Sequence, residues 1–268
     1  DGQVTDLQRL AQLGEKGVLV LLSDSTNAEK PGYTRSERYV GNTFDETFRL
    51  ATNDRIIIAT FATNIHRLQQ VIHAAYKYGR KVAVVGRSMV NAVSVATELG
   101  YLEIPEDILV ELEEANRLPK NKVAILTTGS QGEPMSALTR MAFSDHRQVE
   151  IMPGDTVIIS ATPIPGNEKL VSRIIDQLFK LGAKVIYESV DGIHVSGHPS
   201  QEELKLMLNL TRPKFFVPIH GEYRMLIRHA ELAREVGVRP ENVFVVDNGQ
   251  VLDFTRRTGK IAGRVTSG

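Results

Sequence analysis

Residues 55–85 read RIIIATFATNIHRLQQVIHAAYKYGRKVAVV, and the fold turns on how this stretch is parsed. Arg55 to Thr60 is a β-branched apolar run of strand length, and Lys81 to Val85 is another. Between them, residues from about Ile65 to Tyr78 have the amphipathic spacing of a helix, which Phe61-Ala62-Thr63-Asn64 can cap. Strand, helix and strand in succession form the repeating unit of a parallel sheet. The alternation continues outward. Gly17–Leu22 reads as an earlier strand, ended by Ser23-Asp24-Ser25-Thr26-Asn27. Later come a helix from Val90 to Leu99, strands at Lys122–Thr127 and Thr156–Ser160, a helix from about Glu168 to Leu181 and a strand at Lys184–Tyr187. Lys214–Ile219 is a further strand, with a helix after it to about Val236. The end departs from the pattern: Val243–Val246 and Val251–Phe254 flank Asp247-Asn248-Gly249-Gln250, which predicts a hairpin around Asn-Gly. The expected class is α/β, a mostly parallel sheet with flanking helices.

Composition sets broad limits. With 268 residues, 42% of them hydrophobic, the chain can form one large α/β unit or two joined ones. The formal net charge of +0 neither supports nor excludes nucleic acid, because a local basic groove binds phosphates on a neutral protein. The chain has no cysteine, which excludes disulfides and thiolate zinc sites and fits a reducing cytoplasm. No apolar run reaches the roughly 20 residues that span a bilayer, and no secretory signal is visible, so no membrane partner is expected. The start at Asp1-Gly2-Gln3, without methionine, reads as a trimmed or truncated chain. The acidic stretch Ile104–Pro119 reads as a solvated surface helix and loop.

Parallel sheets bind ligands at the carboxyl ends of their strands. Small polar residues recur there: Asp24–Asn27, Phe61–Asn64, Thr128-Gly129-Ser130-Gln131-Gly132-Glu133-Pro134 and Ala161–Asn167. Free N–H groups with neighbouring hydroxyls make anion sites, although ordinary capping uses the same residues. Several such loops at one sheet edge favour a phosphate-rich ligand. None of them matches a P-loop or a GxGxxG fingerprint. Arg35, Arg38, Arg67, Arg87, Arg140 and Arg147 lie near these loops and read as surface charges. Arg87 is the best candidate for function among them, because it directly follows a buried strand.

The seven histidines differ in context. His66, His73 and His229 fall within predicted helices and read as packed or surface side chains, and His146 lies in a polar turn. His194 and His198 have the i, i+4 spacing of a helical zinc chelate. Gly197, and the capping-box pattern from Ser200 to Glu203, place them instead in a loop before a helix. His220 ends a strand between Pro218 and Gly221, a position equally open to a structural role and to metal ligation.

Read together, these segments resemble ribonuclease J, of the β-CASP branch of the metallo-β-lactamase superfamily. Leu22–Asn27 is similar to the family's acidic motif A, His194-Val195-Ser196-Gly197-His198 to motif B and Pro218–Arg224 to motif C. The Thr128–Pro134 and Pro163-Ile164-Pro165-Gly166-Asn167 loops also resemble ribonuclease J. The similarity runs through essentially the whole chain. It implies a β-CASP domain over residues 38–184, inserted into a metallo-β-lactamase αββα domain to which residues 1–37 and 185–268 contribute. It implies a zinc-dependent ribonuclease with two zinc ions per intact active site. The substrate implied is single-stranded RNA with a 5′-monophosphate, degraded by 5′-to-3′ exonuclease and endonuclease activities. The roles carried over are His220 as metal ligand, His198 as general acid or transition-state donor near the leaving oxygen, and Asp24 as the carboxylate that orients it. Ala62, Thr63 and Asn64, with His194, Val195, Ser196, Gly197 and His198, would hold substrate, with Arg87 and Ser130 as further RNA contacts. The family tends to form homo-oligomers.

One departure is plain. The superfamily's HxHxDH metal motif occurs nowhere in the chain. The resemblance places it upstream, so the expectation is that these 268 residues alone lack a complete metal site and are inactive. Three other readings remain at this point. One is a non-catalytic module that holds RNA phosphates. The second is a β-CASP nuclease for DNA or messenger RNA 3′ processing, against which the two ribonuclease J-like loops argue. The third is a sugar-phosphate or nucleotide enzyme.

Overall fold

The computed structural model describes residues 4–164, 166–187 and 192–266, so Asp1-Gly2-Gln3 and Pro165 of the Pro163–Asn167 loop lie outside it. The described residues form two compact units. One is Ser36–Val195, and the other joins the stretch up to Arg35 with that from Ser196 onward.

The chain starts in the discontinuous unit with α1 (Leu7–Lys16) and β1 (Val20–Asp24). It then builds the continuous unit from α2 (Arg38–Leu50), β2 (Ile56–Ala59), α3 (Ile65–Lys77), β3 (Lys81–Val85), α4 (Arg87–Glu98) and α5 (Leu112–Ala115). That unit is completed by β4 (Val123–Thr127), α6 (Ala137–Ala142), β5 (Thr156–Ile159), α7 (Glu168–Lys180) and β6 (Lys184–Ile186). The return supplies α8 (Gln201–Thr211), β7 (Phe215–Ile219), α9 (Tyr223–Glu235), β8 (Gln250–Phe254) and β9 (Gly259–Arg264).

The continuous unit is a five-stranded sheet in the order β3-β4-β2-β5-β6, with every pair parallel. The isoleucine run sits at its centre. Ile56 and Ile58 enter one core with Phe44 of α2, Leu68 and Val71 of α3 and Met89 of α4. Ile57 and Ala59 enter the other core with Leu138 and Met141 of α6 and Leu178 of α7. A strand covered on both faces has no polar side, which is why this one reads as an unbroken apolar run rather than an alternation. Each isoleucine side chain so buried contributes about 1.5–3 kcal/mol.

In the other unit β1 and β7 pair in parallel, from Val20 beside Phe215 to Asp24 beside Ile219. The capping box at Ser200 forms as expected: the Ser200 N–H donates to Glu203 Oε2 at 2.8 Å and opens α8. The C-terminal hairpin is displaced from its predicted place. β8 pairs with β9 across a turn at Thr255–Thr258, where the Thr255 N–H donates to the Thr258 carbonyl at 2.8 Å. Val243 instead lies beside Phe216 as a single bridge. Packing explains the difference. The Phe244 ring stands 6.2 Å from that of Phe215 and 5.3 Å from that of Phe254, which holds its segment against β7. Among the described residues no helix is long and apolar enough to cross a membrane.

Candidate metal centre

The β1–β7 register decides what meets what. Asp24 is the last residue of β1 and pairs with Ile219, so its carboxylate stands beside His220, the next residue after β7. His220 adopts φ 56, a left-handed conformation that costs a non-glycine residue energy and is typically retained where position matters. His198 arrives from the loop before α8. The Asn27 amide donates to the His198 carbonyl at 3.0 Å and to Ser196 Oγ at 2.9 Å. The Thr34 hydroxyl donates to the same carbonyl at 2.9 Å.

The three side chains converge. His198 Nδ1 lies 2.5 Å from Asp24 Oδ2, and His220 Nδ1 lies 3.4 Å from Asp24 Oδ1. The two imidazoles stack at 5.3 Å between centroids. One ligand atom from each of Asp24, His198 and His220 falls within 4.8 Å of the others, close enough to surround one ion. Partner chemistry assigns the tautomers. Thr26 Oγ1 donates to the His220 carbonyl at 2.9 Å, so at 2.9 Å from His220 Nδ1 it accepts that proton. His198 Nδ1 donates to Asp24. Each imidazole therefore keeps Nε2 for other work. Burial opposes ionisation of Asp24, but hydrogen bonds from His198 and Thr26 outweigh it and hold its carboxyl below the usual range. Two imidazoles and a carboxylate, the carboxylate engaged by both Nδ1 atoms, fall short of the three free protein ligands of one catalytic zinc ion. They are too few for two.

Behind the carboxylate lies a buried support. Ser25 Oγ lies 2.9 Å from His229 Nδ1, and His229 is fully buried against Phe216 with no partner for Nε2 among the described residues. Burial lowers the His229 imidazole to about 4, against a smaller opposing pull from Asp24. An unfolded chain takes up this proton near 6.5, and the folded chain only near 4. The contribution of His229 to stability is thus fully present above pH 6.5 and is lost as pH falls toward 4. It amounts to about 3 kcal/mol at most. We expect the urea midpoint of His229→Gln to decline less than that of the parent between pH 7 and pH 4.5. Equal slopes would contradict the assignment.

In the continuous unit the predicted loops gather at the carboxyl edge of the sheet. Ala62, Thr63 and Asn64 follow β2, the strand flanked by β4 and β5, and Asn64 Oδ1 accepts from the Arg67 N–H as the cap of α3. The loops after β4 and β5 are stitched together. The Gln131 amide donates to the Thr162 carbonyl at 2.9 Å and accepts from the Ile164 N–H at 2.6 Å. A Cβ on Gly129 would stand 2.4 Å from Ser136 Oγ, so only glycine fits that turn. Ser130 is buried, so its hydroxyl does not face solvent, whereas Arg87 is exposed at the start of α4. Val195 and His194 belong to this unit, while Ser196, Gly197 and His198 belong to the other.

Arg67, expected at the surface, is fully buried. Its guanidinium forks onto Glu37, Nε to Oε1 at 2.7 Å and Nη2 to Oε2 at 2.8 Å. Nη1 donates to the Ser160 carbonyl at 2.8 Å and lies 3.1 Å from His194 Nδ1. The sequence carries no signal of this arrangement, because its partners Glu37, Ser160 and His194 come from three separate segments.

Residues 53–178 match the family described as Ribonuclease J, beta-CASP domain. The whole chain is 52% identical to Ribonuclease J of Synechocystis sp. and 50% identical to that of Thermus thermophilus. The chain belongs to the ribonuclease J family. Ribonuclease J2 of Bacillus subtilis is 47% identical over 99% of the chain. Residues 182–246, which include His198 and His220, match the Zn-dependent metallo-hydrolase RNA specificity domain. The chain spans 42%, 46% and 48% of these three ribonuclease J relatives, less than half of each.

Proposed function

We propose that this chain is the β-CASP-bearing part of a zinc-dependent ribonuclease that matures and degrades RNA in the cytoplasm. Residues 38–184 form the β-CASP domain, and residues 1–37 with 185–268 contribute to the metallo-β-lactamase domain. The observation that carries the reading is the cluster of Asp24 and His220 at adjoining strand ends with His198 from the loop before α8, each imidazole Nδ1 facing a polar partner in the cluster.

His220 Nε2 is the donor toward zinc, and Thr26 with Asp24 fixes its ring. Zinc, completed to a pair by the ligands that the resemblance places upstream, would supply Lewis-acid activation of the scissile phosphate and of a water nucleophile. As the imidazolium, with its Nδ1–H held by Asp24, His198 presents Nε2–H to the leaving oxygen and gives up that proton, ending as the neutral Nδ1–H tautomer. The carboxylate keeps the imidazole in the tautomer and orientation that this transfer needs. Ala62, Thr63, Asn64 and the 194–198 stretch hold the phosphates of single-stranded RNA and its 5′-monophosphate end, and Arg87 adds an exposed cation. Ser130, being buried, acts by shaping its loop. The substrate is attacked from the 5′ end and internally. The three metal-competent groups clustered among the described residues do not hold two zincs, so the 268-residue chain alone is inactive.

The alternative is a module that only retains RNA. The two readings separate in one assay on a form extended upstream through the HxHxDH region. A nuclease loses RNA degradation on chelation while still binding RNA in a salt-sensitive way. Salt-sensitive binding with no degradation in any metal state would leave only the retention module.

A further inference from the structure

β3 is the outer strand of its sheet. On its open side only Val82 is covered: its N–H donates to the Ile108 carbonyl at 2.7 Å, and its carbonyl accepts from the Val110 N–H at 3.0 Å. The bridge to Leu109 is a single pair. Polar backbone groups alternate sides along a strand, so the N–H and carbonyl of Val84 point the same way as those of Val82. By then the neighbouring chain has turned into α5, and a groove of about 1200 Å³ opens beside the strand. Val84 and Val85 form its floor. Val90, Val93 and Thr97 of α4, at helical spacing, form one wall, and Val90 is half exposed. Ile104, Leu109 and Leu112 form the other.

The rim decides what fits. Glu98, Glu111, Glu113 and Glu114 line the groove, and its described lining includes neither lysine nor arginine. Four carboxylates repel a phosphate backbone, so this is no part of an RNA track. An open strand edge is a template for another strand. We infer that this groove receives an extended segment of a partner polypeptide, alternating apolar and basic side chains, laid along β3. Its backbone pairs with Val84, its apolar side chains enter between α4 and Leu112, and its cations meet the glutamates. This inference stands apart from the nuclease reading, because none of these residues belongs to the metal centre.

The probe is a capped hexapeptide of alternating lysine and valine, titrated into the 268-residue chain by fluorescence anisotropy and backbone NMR. Two comparison peptides carry glutamate for lysine, or N-methyl groups on alternate backbone amides. The first peptide is expected to bind, with shifts centred on Val84, Val90 and Leu112. Its affinity should fall at least tenfold with N-methylation and in the exposed charge-reversal variant Glu111→Lys, Glu113→Lys, Glu114→Lys. The glutamate peptide should not bind. Val90→Lys, at another exposed position, provides a second variant with the same expected loss. The inference is overturned if the N-methyl peptide binds equally, if no peptide binds, if polyuridylate shifts the same amides, or if the groove proves to close on a second copy of this chain.

Discussion

Arg67→Ala is expected to destabilise the protein by about 3–5 kcal/mol, the range for breaking a buried ion pair from one side. The Arg67 side chain is fully buried, and Glu37 is only 16% exposed. Alanine would leave that carboxylate without its bidentate partner and leave the Ser160 carbonyl with the longer hydrogen bond from the Thr60 hydroxyl at 3.2 Å. It would also empty the space between α2, α3 and the 192–195 stretch. Against a total stability of about 5–15 kcal/mol, such a loss is large. Urea unfolding followed by circular dichroism measures it. Removing both charges together, as Glu37→Met with Arg67→Met, should recover part of the loss, because the stranded charge is the costly element. A loss below about 1 kcal/mol for Arg67→Ala would show that water replaces the guanidinium at little cost.

The second large effect falls on Asp24. Asp24→Asn keeps the volume and removes the charge that both imidazole Nδ1 atoms face. In the upstream-extended form, zinc affinity is expected to fall about 10–100-fold, because an oriented ligand loses its supporting carboxylate. RNA hydrolysis is expected to fall about 10²–10⁴-fold, since the proton donor is misplaced as well. The loss should appear in kcat with KM for RNA little changed, because Asp24 orients imidazoles rather than gripping substrate. A purely structural Asp24 would instead lower the unfolding midpoint and leave kcat per folded molecule intact.

The parallel sheet was legible in the sequence because its strands are covered on both faces. Runs such as Ile56–Ile58 and Val123–Thr127 could be placed to within a residue or two. The metal cluster was partly legible. His220 and Asp24 end apolar runs, and strand ends are where parallel sheets keep their chemistry. That His198 joins Asp24 and His220 was expected only from the resemblance to ribonuclease J, because the meeting depends on how the 196–200 loop is tied to Asn27 and Thr34. Arg67 misled because an arginine on a helix usually faces water, and its partners Glu37, Ser160 and His194 are distant in sequence. The hairpin was placed too early because Asn248-Gly249 is a strong local turn signal, while the aromatic packing of Phe244 that overrides it is a tertiary contact.

The most direct test measures zinc content and degradation of 5′-monophosphorylated RNA for the 268-residue chain, beside a form extended upstream through the HxHxDH region. The account predicts that the extended form carries about two zincs and degrades RNA. It also predicts that the short chain holds at most one and leaves RNA intact. A short chain that binds two zincs and cleaves RNA would contradict it, and would place the missing ligands among side chains other than Asp24, His198 and His220.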